Sequence, residues 1–304
     1  MMGKKKGEGL MQETCPVCRI GDPMPADVAE KNFVPGHLAF YGTAAKYFTE
    51  PFRIFGNLWY VGDKKVCSHL IDTGDGLILF DTGYRNATHL LLESIRRAGF
   101  DPADVKIIIH SHGHFDHFGG GNDFRLLFGS KIYMSKVDTE LLRERPDRAL
   151  TAWGPNPYED ICWPDAVLAD GDHIRLGGTD IRCVLAPGHT LGTMCFFFDV
   201  TDGKEKKRVG YWGGVGFLTV YRAYCRKFGL PEDKPERLLA SIEKLWDEPV
   251  ELLLGNHPSQ NCTLEKREWM LTHPGENPFV NPDGWHIFLS TLREKTEKLI
   301  EMGY

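Results

Sequence analysis

The chain has 304 residues, of which 42% are hydrophobic and 26% are charged, and its net charge at pH 7 is -6. This composition is typical of a globular protein, and the acidic balance excludes the basic surface on which nucleic-acid binding depends. The sequence contains neither a run of 18 apolar residues nor the apolar core of a secretory signal. We therefore predict a cytoplasmic protein with no membrane partner.

The first fifty residues show no clear periodicity, whereas a regular pattern begins near Arg53. We predict an N-terminal arm over residues 1–50 and a single domain over residues 51–304. The arm contains Cys15 and Cys18 in a Cys-x-x-Cys pair, but no second half of a structural metal site lies nearby in the sequence. The arm is a candidate for dimer contacts, and the sequence leaves the oligomeric state undefined.

Hydrophobic periodicity predicts two similar β-rich halves, each flanked by helices. Strands are predicted over residues 57–61, 66–71, 76–80, 105–109, 131–134, 174–176, 181–185, 194–200, 209–212 and 250–254. Helices are predicted over residues 88–98, 136–145, 236–246 and 285–300, the first capped by Thr88 and the second ended by Pro146.

A long loop is predicted over residues 148–166, and it carries the aromatic residues Trp153 and Tyr158. Loops of this length often have a functional role, so these side chains are candidates for lining a substrate pocket. Packing over the core is an equally good interpretation of the same residues.

The strand over residues 105–109 leads into a stretch that holds three imidazoles and one carboxylate within residues 112–117. Imidazole and carboxylate are ligands that a divalent cation such as zinc prefers, and few or no thiolates leave the metal acidic enough to activate water. Gly119, Gly120 and Gly121 follow and allow close backbone approach and unusual φ values. The stretch therefore predicts a metal site at the carboxyl end of a buried strand.

Two further histidines sit where an apolar strand gives way to a turn. His189 follows the strand over residues 181–185, and His257 follows the strand over residues 250–254. Each alone would more often be a hydrogen-bonded turn histidine than a metal ligand. Together with the cluster, they supply two adjacent sites of about three ligands each.

These motifs resemble the metallo-β-lactamase superfamily, a group of zinc hydrolases with a four-layer αββα sandwich fold of the α/β class. The resemblance rests on His-x-His-x-Asp-His at residues 112–117, Pro-Gly-His-Thr at residues 187–190 and Gly-Asn-His-Pro at residues 255–258. Three further segments, residues 51–62, 170–178 and 277–282, are similar to class B β-lactamases of subclass 3. The resemblance covers about residues 50–304.

The resemblance implies a dinuclear zinc site. It places His112, His114 and His189 on one Zn²⁺ ion and Asp116, His117 and His257 on the other, with a shared hydroxide as nucleophile. It also implies a catalytic role for Asp116 in orienting that hydroxide. Asp81 and His110 are candidates for contacting the metal ligands and fixing their orientation. Asp81 fits equally well as an acceptor of backbone hydrogen bonds in a turn.

The chain departs from the family pattern after the strand over residues 209–212. Lactonases and glyoxalase-type thioesterases usually carry a bridging aspartate here, and two other β-lactamase subclasses carry a cysteine ligand, but residues 213–216 contain neither. The third subclass usually has serines that help to hold the β-lactam carboxylate, where this chain has Gly214 and Gly216. Main-chain amides, Tyr221 and Arg222 are the candidates to compensate for the missing hydroxyls.

From the resemblance we expect a zinc-dependent hydrolase that opens a cyclic amide in a small-molecule substrate. β-Lactam hydrolysis is the leading specific activity. The main alternative is hydrolysis of a lactone, thioester or phosphoester at the same site. A non-catalytic metal-binding protein is less favoured, because all six ligand positions are intact.

Overall fold

Two β-sheets pack face to face in the computed structural model, which describes residues 14–25, 27, 28, 31, 43–153 and 160–303. The strands are β1 (Phe52–Phe55), β2 (Leu58–Tyr60), β3 (His69–Asp72), β4 (Leu77–Phe80), β5 (Val105–Ile109), β6 (Lys131–Ser135), β7 (Ala166–Leu168), β8 (His173–Leu176), β9 (Thr179–Leu185), β10 (Met194–Thr201), β11 (Lys206–Trp212) and β12 (Leu252–Gly255). The α-helices are α1 (Thr88–Arg97), α2 (Phe115–Phe118), α3 (Gly121–Phe128), α4 (Lys136–Glu144), α5 (Arg222–Lys227), α6 (Lys234–Lys244), α7 (Thr263–Thr272) and α8 (Gly284–Glu301).

The two sheets differ in strand direction. The first has seven strands in the order β1-β2-β3-β4-β5-β6-β7, antiparallel up to β4 and parallel from β4 to β7. The second has five strands in the order β12-β11-β10-β9-β8, antiparallel except for the parallel pair β11 and β12. The carboxyl ends of β4, β5, β9, β11 and β12 meet at one edge of the sandwich.

Three hydrophobic clusters form the layers of an αββα sandwich. One lies between the sheets, one between the seven-stranded sheet and helices α1, α3 and α4, and one between the five-stranded sheet and helices α6 and α8. Strand β10 is apolar on both faces for this reason, since Phe196 faces the other sheet and Phe197 faces the helices. The predicted sandwich fold of the α/β class is confirmed.

Hydrogen bonds join the sheets at both ends. Near the carboxyl ends, Met194 N donates to Ser111 O at 3.1 Å. At the opposite end, Asn57 Nδ2 donates to Asp72 O at 2.7 Å and Asn57 Oδ1 accepts from Thr201 N at 2.9 Å. The relative position of the two sheets, and hence of the loops they carry, is therefore fixed by polar contacts as well as by the core.

The structure differs from the predicted elements in several places. Thr88 does not cap α1: Ala87 is the N-cap, and a preceding 3₁₀ turn places Thr88 Oγ1 where it donates to Arg85 O at 2.7 Å. The predicted loop over residues 148–166 includes short 3₁₀ turns at its start and ends at residue 166, where the edge strand β7 begins. Not predicted were β1, β7, α2, α3, α5 and α7.

Residues 18–22 of the predicted N-terminal arm lie against the carboxyl-terminal helices. Arg19 N donates to Ser259 O at 3.2 Å, the Arg19 side chain pairs with Glu265, and Asp22 pairs with Lys295 and Lys298. Within the described residues, none of the helices has the length and apolar character needed to cross a membrane.

Phe80 is the centre of an aromatic group between the sheets. Its ring centroid lies 5.2, 5.5 and 5.0 Å from those of Phe196, Phe198 and Tyr211. We expect Phe80→Ala to lower the free energy of unfolding of the metal-free protein by about 3–5 kcal/mol, because it leaves a cavity between two packed sheets. Denaturant unfolding measures this change.

The control for that experiment is Leu126→Ala on α3, where the side chain is 84% exposed. Its free energy of unfolding should stay within about 0.5 kcal/mol of the parent protein. Equal losses for the two variants would contradict the assignment of Phe80 to the centre of the core.

Candidate metal centre

The predicted ligands come together at the edge where the strands end. β5 leads into the stretch containing His112 and His114, and the one-turn helix α2 then presents Asp116 and His117. β9 and β12 lead into the loops that carry His189 and His257. Chemistry at the carboxyl ends of strands is the usual arrangement in layered α/β folds.

The glycines after α2 permit close packing without unusual backbone angles. A Cβ on Gly119 would lie 2.2 Å from Arg85 N, so only glycine allows this turn to approach the loop after β4. Gly119 and Gly120 have helical φ values of -55° and -83°. The predicted close approach is present, whereas the predicted unusual φ values are absent because the chain continues directly from α2 into α3.

Three histidines form the first group of potential ligands, which we call the trihistidine group: His112, His114 and His189. One ring nitrogen from each lies within 4.8 Å of the others, and His112 Nε2 is 3.0 Å from His114 Nδ1. The ring of His189 stands edge-on to both others at 4.7 Å between centroids. Three nitrogen lone pairs can thus face one point.

Asp116, His117 and His257 form the second group, which we call the aspartate group. His117 Nε2 lies 3.3 Å from His257 Nε2, and Asp116 Oδ2 lies 3.5 and 3.7 Å from these two nitrogens. His112 adjoins both groups, since its ring is also 4.2 Å from that of His117 between centroids. The six predicted ligands therefore line one depression, which we call the basin. The His257 side chain, 31% exposed, lies at its solvent side.

The outer nitrogen of four of these rings is held by an acceptor. Three rings donate from Nδ1 to a backbone carbonyl oxygen: His112 to Gly213 at 2.9 Å, His189 to Gly216 at 2.7 Å and His257 to Lys65 at 2.7 Å. The fourth, His117, donates from Nδ1 to the carboxylate of Asp81 at 2.8 Å. A carbonyl oxygen can only accept, so Nδ1 carries the proton and Nε2 presents a lone pair to the basin. This is the tautomer that metal binding requires.

The electrostatics of the basin favour a cation. Burial lowers the pKa of His189 to about 3, and it lowers the pKa values of His112 and His114 well below their usual range, so these rings are neutral at pH 7. Burial also lowers the pKa of His117, but Asp116 and Asp81 outweigh this effect and raise it. A positive charge is thus already favoured at His117, between two carboxylates, and the donor set fits a zinc-like cation.

The Asp81 carboxylate joins Ser111, His117 and Tyr211 by hydrogen bonds beside the basin. Its Oδ1 accepts from Ser111 N at 2.7 Å, and its Oδ2 accepts from Ser111 Oγ, His117 and the Tyr211 hydroxyl at 2.7, 2.8 and 2.9 Å. The residue is fully buried and has a φ of 53°, in the left-handed region. Its four hydrogen bonds hold this conformation and fix the His117 ring.

Other predicted residues take different places. His110 is fully buried behind the ligands, where an added Cβ on Gly121 would lie 2.9 Å from its Nε2. Tyr221 is buried with its hydroxyl accepting from Met24 N, and Arg222 binds the Glu232 carbonyl and the Glu236 carboxylate. Tyr158 and the side chain of Trp153 lie outside the described residues.

The glycines after β11 pack directly on a ligand. A Cβ on Gly214 would lie 2.7 Å from His189 Cδ2, and one on Gly216 would lie 3.0 Å from His189 Cε1. Gly213 contributes its carbonyl to His112 and to Asn256 Nδ2, which donates at 2.7 Å. Gly213, Gly214 and Gly216 therefore form a surface without side chains against the trihistidine group, which we call the glycine wall, while the Val215 side chain is buried in the core.

Sequence reasoning missed two buried charged residues beside the basin, Asp138 and Lys234. Asp138 accepts hydrogen bonds from the loops that carry His114 and His189, and Lys234 Nζ donates to His189 O at 2.8 Å. Both residues lie in the first turn of an ordinary amphipathic helix. No local pattern distinguishes them from solvent-facing residues in such a position.

Comparison with known proteins gives a consistent family. The family model described as the metallo-β-lactamase superfamily matches residues 61–202. The structure of FEZ-1 metallo-β-lactamase from Legionella gormanii is 27% identical, with a TM-score of 0.75, covering 84% of this chain and 96% of that one. The subclass B3 metallo-β-lactamase BJP-1 of Bradyrhizobium japonicum is 26% identical, with a TM-score of 0.70, covering 86% and 97%.

One curated relative carries the name of a different kind of hydrolase. Hydroxyacylglutathione hydrolase GloC of Haemophilus influenzae is 25% identical over 220 residues, which cover 71% of this chain and 92% of that protein. Similarity in fold and similarity in sequence thus extend to hydrolases that act on different bonds.

Burial of His69 is expected to make the stability of the folded protein depend on pH. It is fully buried edge-on to Tyr60 and Tyr211, and burial lowers its pKa to about 3. The pKa of histidine in an unfolded chain is about 6.5. Between about pH 6.5 and 3, residue 69 is therefore protonated in the unfolded state and neutral in the folded state. The free energy of unfolding contributed by this residue therefore falls with falling pH, by about 1.4 kcal/mol per pH unit in that window.

We expect His69→Phe to flatten the pH dependence of the metal-free protein between pH 7 and 5, as measured by denaturant unfolding at several pH values. His286→Phe, at an exposed position on α8, is the matched control and should follow the parent curve. Identical slopes for His69→Phe and the parent protein would show that His69 is protonated in the folded state.

Proposed function

Because this enzyme belongs to the metallo-β-lactamase superfamily, we propose that it hydrolyses a cyclic amide or ester in a small-molecule substrate, with the β-lactam ring as the leading substrate. The observation that carries the proposal is the donor set of the basin. Five imidazoles and one carboxylate converge there. Residues 213–216 contain neither the bridging aspartate nor the cysteine ligand that other members of the family usually carry after this strand. A cytoplasmic location stays a prediction.

We assign two zinc ions to the basin. The trihistidine group would hold one ion, and the aspartate group would hold the other. Zinc bound in this way supplies a Lewis acid that lowers the pKa of water towards about 7 and polarises a carbonyl group. The assignment is supported by the orientation of the rings, whose protonated nitrogens point away from the basin.

In the proposed reaction, water attacks the ring carbonyl, the C–N bond breaks, and one proton of the water passes to the departing nitrogen. Asp116 is the candidate catalytic residue for this transfer. Its Oδ2 lies 3.5 and 3.7 Å from the ring nitrogens of His117 and His257, so the carboxylate is placed among the predicted ligands, where it would orient the attacking water. Asp81 keeps the His117 ring in place during these steps.

Recognition of a substrate carboxylate is where this chain departs from the β-lactamase pattern. The glycine wall supplies no hydroxyl, and Tyr221 and Arg222 are engaged with Met24, Glu232 and Glu236. Losing a hydrogen bond to a charged group costs about 1.5–3 kcal/mol, or roughly tenfold to a hundredfold in rate. Peptide groups of residues 214–216 are the remaining candidates, and Gly216 is the exposed glycine among them.

A thioester is the second candidate substrate. It is favoured by the sequence similarity to a hydroxyacylglutathione hydrolase and by the glycine wall, which supplies no side chain to hold a substrate carboxylate. It is disfavoured by the lack of an aspartate at residues 213–216, where glyoxalase-type enzymes usually carry one.

The deciding measurement is kcat/KM of the zinc-loaded protein on a chromogenic cephalosporin and on a hydroxyacylglutathione thioester. We expect turnover of the cephalosporin, lost by about a hundredfold or more in His114→Ala, because that variant removes a ligand outright. His89→Ala, at an exposed position on α1, is the surface control and should retain the parent rate. Any turnover that remains in His114→Ala measures contaminating activity. Turnover of the thioester alone would replace the β-lactam assignment and keep the metal centre.

Gly214→Ser tests whether the wall can accept the hydroxyl that is missing. We expect loss rather than gain of cephalosporin turnover, by about tenfold or more, because the added Cβ at 2.7 Å displaces the His189 ring. The matched variant is Gly216→Ser, where the contact of 3.0 Å requires a smaller shift of the same ring. The zinc content of both variants is measured by atomic absorption, and a gain in rate with Gly214→Ser would contradict the packing argument.

A further inference from the structure

We propose that Asp138 is a positioning residue that holds the trihistidine group and leaves the aspartate group unaffected. Its Oδ2 accepts from Gly113 N, between His112 and His114, at 2.8 Å. The same oxygen accepts from Thr190 Oγ1 at 2.8 Å, and Oδ1 accepts from Gly192 N at 2.8 Å. One carboxylate thus joins the two loops that carry all three histidines. The inference rests on the metal assignment of the proposed function.

The packing around Asp138 makes this connection rigid. The side chain is 2% exposed. A Cβ on Gly192 would lie 2.2 Å from Ser135 Oγ and 2.6 Å from Asp138 Cγ, and a Cβ on Gly113 would lie 3.3 Å from Asp138 Cβ. Both loops approach the start of α4 as closely as their backbones allow, so the carboxylate is fixed on three sides.

Lys234 provides a second support for the loop that carries His189. Its Nζ donates to His189 O at 2.8 Å and to Thr219 O at 2.6 Å, and Thr219 Oγ1 also donates to His189 O at 2.6 Å. Lys234 is also an opposite charge that acts on Asp138 inside the protein. A buried carboxylate with three hydrogen-bond donors and a nearby cation meets the conditions under which buried charge is tolerated.

The aspartate group is held by different residues. His117 is fixed by Asp81, and His257 is fixed by the Lys65 carbonyl. The hydrogen bonds of Asp138 reach only Gly113, Thr190 and Gly192 on the ligand loops. Loss of the Asp138 carboxylate should therefore weaken metal binding at one group and spare the other, which general destabilisation would not do.

The test measures Co²⁺ affinity, from its visible absorption, in two backgrounds of the full chain. His257→Ala leaves the trihistidine group complete, and His189→Ala leaves the aspartate group complete. We expect Asp138→Asn to weaken Co²⁺ binding about tenfold to a hundredfold in the first background, the range for residues that orient ligands, and to leave it unchanged in the second. Asp75→Asn, at an exposed turn, is the surface control for both.

Equal losses in the two backgrounds, or no loss in either, would overturn the proposal. Thr190→Val provides a second variant if Asp138→Asn fails to fold, because it removes one donor and keeps the carboxylate; its loss should be smaller and confined to the first background. Failure of the parent protein to bind Co²⁺ at all would instead overturn the metal assignment in the proposed function.

Discussion

The buried carboxylate of Asp81 is the interaction on which the rest of the centre depends. It accepts four hydrogen bonds, from the turn after β5, from α2 and from β11, so it connects both sheets at the edge where the ligands emerge. Burying a charge costs several kcal/mol unless it is paired and fully hydrogen-bonded. Here Ser111, Tyr211 and His117 offset that cost only when the two sheets are correctly placed relative to each other. The placement of the sheets that stabilises the Asp81 carboxylate therefore also aligns the candidate ligands.

Strongly periodic elements were predictable because their signals are local. β5 coincides with its predicted range, residues 105–109, since a short β-branched run buried on both faces has few alternatives. The convergence of the six candidate ligands followed from the same logic, because strand ends in a layered sheet are brought to one edge. Helix α7, by contrast, was not predicted: its apolar side chains do not form a clear stripe, and its N-cap, Cys262, has a left-handed backbone conformation and no capping side-chain hydrogen bond.

The residues around the ligands were less predictable, for a physical reason. Asp138 acts on residues 25, 52 and 54 positions away, so nothing in its own neighbourhood indicates its role. Tyr221 and Arg222 were proposed as substrate contacts from their position near the glycine wall. The structure directs Tyr221 to Met24 of the arm and Arg222 to Glu232 and Glu236, partners that local sequence reasoning did not consider.

The glycine wall and the positioning of His189 are two aspects of one packing solution. His189 is held through its carbonyl by Lys234 and Thr219 and through Nδ1 by Gly216, so its ring has little freedom to move. The ring then occupies the volume that a side chain at Gly214 would need. A side-chain hydroxyl at residue 214 and the present position of the His189 ring therefore exclude each other. The chain has the second, so under the proposed function substrate preference would depend on the position of the His189 ring rather than on a side chain at residue 214.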